Sequence, residues 1–105
     1  MVNELLHRAV VPGRRGRFPK PPAGTYAVWM DDITTDGPDG MPLILQHDIT
    51  VELYEAGPDD EKEAAIEAEI TAAGLQWTKQ DRYWLQSEQR YQVIYEFSYI
   101  EKRRL

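Results

Sequence analysis

The chain of 105 residues has no cysteine, which excludes disulfides, thiolate metal sites and thiol nucleophiles and leaves no sign of an oxidising compartment. Histidine is scarce: His7 and His47 are the only two. Neither stands at motif spacing from a serine, a second histidine or a carboxylate, and Asp48, beside His47, alternates to the opposite face of a strand. No apolar run approaches the roughly 20 residues of a membrane-spanning helix. The first residues lack the apolar stretch of a secretory signal, so a soluble protein made in the cytosol is expected. The phosphate-binding patterns GxGxxG and GxxxxGKS/T, the zinc-protease pattern HExxH and the nucleophile elbow GxSxG are all missing. The expectation is a protein that is not an enzyme and takes no cofactor.

With 42% hydrophobic and 29% charged residues, the chain can bury one modest core. Its net charge of -6 is unevenly spread: residues 1–30 hold five basic residues against one acid, +4, and the other 75 hold seven against seventeen, -10. A basic arm therefore precedes an acidic body. Such a molecule attracts copies of itself, because each arm finds complementary potential on a neighbour; a solvated leader is the plain alternative.

Asn3 can cap a short helix with Leu5, Leu6, Ala9 and Val10 at helical spacing, stopped at Pro12-Gly13. The segment PGRRGRFPKPPAG disfavours helix and central strand alike and reads as an extended arm with Phe18 its one large apolar residue. Thr25–Ile33 and Leu43–Tyr54 alternate as half-buried strands, joined by a loop over Thr34–Pro42 that holds two Asp-Gly turns. Gly57-Pro58-Asp59-Asp60 opens a helix that Gly74 ends, with Ile66 and Ile70 on its apolar stripe. Gln76–Leu85 and Tyr91–Ile100 read as a last pair of strands around the turn QSEQR. The expected fold is α+β: an antiparallel four-stranded sheet with a helix packed on one face, order α-β-β-α-β-β, and an extended basic N-terminal arm. Residues 1–24 form the short helix and arm, and residues 25–105 a single domain.

Three readings of function follow. Surplus aromatics, Trp29, Trp77, Trp84 and six tyrosines, with a sheet covered on one face only, suit self-association. The candidate interface residues are Arg14, Arg15, Arg17 and Phe18 in the arm, Trp29 and Trp84 in the body, and Asp36, Asp39 and Met41 in the long loop. A small nucleic-acid-associated module would use the same arginines, but an acidic body repels phosphate, and sequence-specific binding is not expected. A small enzyme would need an acid site at Asp31, Asp32 and Asp48. Asp31, Asp32, Asp36 and Asp39 crowd the first hairpin, but their spacing fits no calcium loop, and turn chemistry accounts for most of them. His47 reads as a satisfied core or interface residue.

The run from His47 to Tyr99, preceded by PPAGTYAVW and a DG loop, resembles the tail terminator or tail completion proteins of the neck in tailed phages and prophages of Gram-positive hosts. The motifs that carry the resemblance are Pro21-Pro22 with Tyr26 and Val28, Asp36-Gly37, Val51-Glu52-Leu53-Tyr54, the helix opened by Pro58-Asp59, and Ser87-Glu88 leading into Tyr91–Phe97. The resemblance implies an α+β subunit that closes into a ring, typically a hexamer. Such a ring caps the completed tail tube and joins a head–tail connector or stopper, so its partners are copies of itself, the tail tube protein and the connector. It implies no catalysis and no membrane, and a place in the virion after assembly in the host cytoplasm. The chain departs from the family pattern where Pro12 breaks the first helix and the Arg-rich arm intervenes.

Overall fold

Three long strands carry the molecule. The computed structural model describes residues 1–37 and 43–103, and its elements in chain order are α1 (Val2–Arg8), β1 (Gly13–Arg15), β2 (Tyr26–Asp36), β3 (Leu43–Glu55), α2 (Asp60–Ala72), β4 (Trp77–Lys79), β5 (Tyr83–Leu85) and β6 (Arg90–Arg103). They build one six-stranded sheet in the order β1-β2-β3-β6, with β4 and β5 both paired to the outer edge of β6. The β1–β2 pair is parallel and the others are antiparallel.

This mixed sheet overturns the expected antiparallel four-stranded one, in two places. The arm supplies a strand: Gly13–Arg15 runs parallel to Ala27–Trp29. Its Pro and Gly content masked a pairing that needs only three residues on a sheet edge. The segment Gln76–Leu85 is two short strands instead of one, because Gln80 to Arg82 leave the ladder and Arg82 turns toward Glu55, Asp60 and Glu63. The expected loop is shorter too, since Thr34, Thr35 and Asp36 belong to β2 and pair with Gln46, Leu45 and Ile44.

Alternation along the long strands sorts the two faces. Odd-numbered residues Ala27, Trp29, Ile49, Val51, Leu53, Val93, Tyr95 and Phe97 join Val2, Leu5 and Leu6 of α1 and Ile66 and Ile70 of α2 in one core. Both helices therefore cover the same face. Each ends in a Schellman pattern. At α2 the Leu75 N–H donates to Ile70 C=O and the Gly74 N–H to Thr71 C=O, with Gly74 at φ 78. At α1 the Val11 N–H donates to Leu6 C=O and the Val10 N–H to His7 C=O, and the left-handed position falls on Val10, at φ 58. A side chain at Gly13 would run into Leu6, so glycine lets α1 lie close over β1. At the start of α2 the Asp59 carboxylate accepts from the Lys62 N–H at 3.2 Å.

A polar cluster around the buried Glu55 and Glu63 ties α2 to the sheet. Arg82 reaches Glu55 at 3.2 Å and Glu63 at 2.7 Å, and Lys79 reaches Glu63 at 2.8 Å and Glu67 at 2.7 Å. The Tyr95 hydroxyl donates to Glu67 at 2.6 Å. Burial, the hydrogen bond to Glu63 and the Glu63 charge push the Glu55 carboxyl up to about 7, against the pull of Arg82. Burial would raise Glu63 as well, but hydrogen bonds from Glu55, Lys79 and Arg82 hold it well below the carboxylate range. The two acids are coupled, and of the pair Glu55 is the one whose carboxyl is shifted toward the protonated form.

Candidate interaction surface

Among the described residues the even-numbered face carries no helix, and the arm covers one corner of it. Phe18 packs edge-on to Tyr26 at 5.5 Å, Tyr26 stacks on Tyr54 at 5.2 Å, and the Arg90 guanidinium sits 5.2 Å from the Tyr26 ring. Arg90 also donates to the carbonyls of Pro22, Ala23 and Gly24. The arm is thereby folded onto its own body. Arg15 lies over the Trp29 ring at 5.3 Å, while Arg14 and Arg17 are exposed. Trp29 is buried among the core residues, its indole N–H donating to Asn3 at 3.0 Å. Trp84 is 39% exposed and packs edge-on to Tyr91 at 4.9 Å. Asp36 is exposed at the end of β2, and Asp39 and Met41 lie outside the described residues.

Away from the arm, no described element covers the even face. Met30, Ile44 and Ile100 are exposed there, and a shallow groove of about 700 Å³ runs past Asp32, Asp48, Thr50, Glu96 and Ser98 to the segment Gly74–Thr78. Asp32 and Asp48 are direct cross-strand partners, a like-charge pair that costs stability. The Ser98 hydroxyl, at 2.6 Å, and the Gln46 amide, at 3.1 Å, donate to Asp48 and lower its carboxyl.

Asp31 sits on the other face, so the three acids Asp31, Asp32 and Asp48 do not converge on one site. Its partner is His47, whose Nδ1 lies 2.7 Å from Asp31 and whose Nε2 lies 2.7 Å from Glu101. Tyr99 stacks on the imidazole at 4.4 Å. Burial pushes His47 down, but the hydrogen bonds and charges of Asp31 and Glu101 outweigh it and the net shift is upward. Among the described residues no group of three His, Asp or Glu side chains is arranged to hold a metal ion. The acid partners of His47 come from other strands, 16 and 54 residues away in sequence, so no local motif could reveal them. Only the odd parity they share with His47 pointed to a common face.

No protein-family model and no curated protein matches the sequence. The fold is similar to that of a chain in the virion of a native gene transfer agent particle, with a TM-score of 0.58 and 15% identity, over 95% of this chain and 83% of that one. At that identity the likeness is one of fold.

Proposed function

We propose that this chain is a structural, non-enzymatic protein of a phage-type neck, located in the virion. It caps the completed tail tube as a ring of copies of itself and joins the tail to a head–tail connector or stopper. The observation that carries this reading is the fold likeness to a chain of a virion particle over nearly the whole length of the protein. The bare sheet face, with exposed Met30, Ile44 and Ile100, supplies the surface that assembly would cover. The segment around Asp39 and Met41 is the part proposed to reach the tail tube, and Arg14, Arg15 and Arg17 the part proposed to meet a neighbouring copy or a neck partner.

Removing the protein from particle assembly tests this. Tails that lose defined ends and no longer join heads, and regain both when the protein is supplied, are expected. Particles assembled normally without it would refute the reading.

A further inference from the structure

The short flanking strands leave both edges of the sheet open at the same end. β1 reaches only as far as Trp29 on β2, and β4 only as far as Phe97 on β6. Among the described residues, no strand pairs with Met30–Asp36 on the side away from β3, nor with Ser98–Arg103 on its outer side. Each is about 20 Å of free edge at 3.3 Å per residue.

Which backbone groups face these edges follows from neighbouring bonds. The Ala27 N–H donates to Pro12 C=O, and Trp29 C=O accepts from the Gly16 N–H. Odd residues of β2 therefore point their backbone groups away from β3, and by the antiparallel alternation Asp31, Ile33 and Thr35 do so at the free edge. On the opposite side Ile94 C=O accepts from the Gln80 N–H, so Ser98, Ile100 and Lys102 present theirs outward. A row of such groups is a template for another strand.

The two edges differ in charge. Met30–Asp36 carries Asp31, Asp32 and Asp36 and no basic residue, whereas Ser98–Arg103 carries Lys102 and Arg103 against Glu101, which Arg103 pairs at 2.7 Å, so that Lys102 is the cation left to the edge. Asp36 pairs with Ile44 and Ile44 with Lys102, which places the acid and the base at one level and on one face of the sheet. Pairing β2 with a second β2 would line aspartates along the seam. Pairing β2 in parallel with the β6 of another copy sets Lys102 beside Asp36, Ile100 beside Thr34 and Ser98 beside Asp32.

We infer that the β2 edge (Met30–Asp36) of one copy pairs in parallel with the β6 edge (Ser98–Arg103) of the next, continuing the sheet from subunit to subunit. The contact is heterologous, so a closing rotation makes a ring. The inference deepens the ring proposed above and rests on it. Inward-pointing Asp31 and edge Lys102 are also what a solitary edge uses to discourage pairing, and the experiment must separate the two.

Proline has no N–H to donate, and Ile33 and Ile100 are 45% and 55% exposed, so Ile33→Pro and Ile100→Pro each block one edge with little loss of packing. Native mass measurement and circular dichroism of the full chain are the readouts. The parent is expected to form a closed oligomer, and each variant a folded monomer. A mixture of the two variants should give a one-to-one heterodimer, because each keeps the edge that the other lacks. Variants that retain the parent's oligomer, or a mixture that stays monomeric, would overturn the inference. Should proline prevent folding, Asp36→Lys and Lys102→Asp replace it: each alone should weaken assembly and the double variant restore it, and single reversals without effect would overturn the pairing. A parent monomeric at its highest soluble concentration also overturns it. The neck reading falls separately, only if the protein fails to cap tail tubes.

Discussion

Asp31 and His47 meet diagonally across the β2–β3 pair at 2.7 Å, two residues off the direct register, in which Asp31 faces Ile49. Because Glu101 occupies the other imidazole nitrogen at the same distance, both nitrogens must donate for both acids to be satisfied, and only the imidazolium can do that. The raised value of His47 against its usual 6.5 then has a direction in stability. The contribution is complete below pH 6.5 and is lost as pH rises through the folded value. His47→Gln should cost about 1 to 3 kcal/mol at mildly acid pH, and the deficit should shrink as pH rises. Chemical denaturation at a series of pH values checks this, and a deficit independent of pH would contradict it.

Glu55 gives a second pH window. Its carboxyl, raised from 4.5 to about 7, holds a proton in the folded chain that the unfolded chain has released. Stability should therefore fall between those two values as pH rises. Glu55→Gln removes the titrating group but keeps a donor toward Glu63. Relative to the parent, this variant should gain stability steadily over that interval in denaturation curves and gain no more beyond it.

Val10 closes α1 in a conformation that branched side chains avoid, at φ 58, while its side chain is 71% exposed. Little packing is lost by removing it. A left-handed non-glycine residue costs about 1 to 2 kcal/mol, and glycine returns part of that gain as backbone entropy. Val10→Gly should raise stability by about 0.5 to 1 kcal/mol, seen as a higher Tm.

Ile70 is fully buried where α2 meets the sheet. Truncation to alanine removes apolar contact and leaves a cavity, at a cost of about 2 to 4 kcal/mol. A thermal melt unchanged by Ile70→Ala would show that α2 packs through another face.

The parts of the fold legible in the sequence are those with a period. Leu43–Tyr54 and Tyr91–Ile100 alternate, and Ile66 and Ile70 with Gly74 mark a capped helix, so β3, β6 and α2 stand where the pattern put them, to within a few residues at their ends. Gly13–Arg15 has no such signal, because three residues hold a strand only when Ala27–Trp29 already offers an edge. The clusters around His47 and Glu55 were illegible for a related reason. Their partners Glu101 and Arg82 are brought in by strand register and by a break in a ladder, which are properties of the assembled sheet. Phe18, the one large apolar residue of the arm, meets the Tyr26 ring of its own chain, a contact that strand position and not any local pattern supplies.

Electron microscopy of the purified protein mixed with assembled tail tubes tests the proposed role most directly. The account predicts rings of this protein seated at one end of the tubes and absent from their sides. Tubes whose ends stay bare, beside protein that remains monomeric, would contradict it.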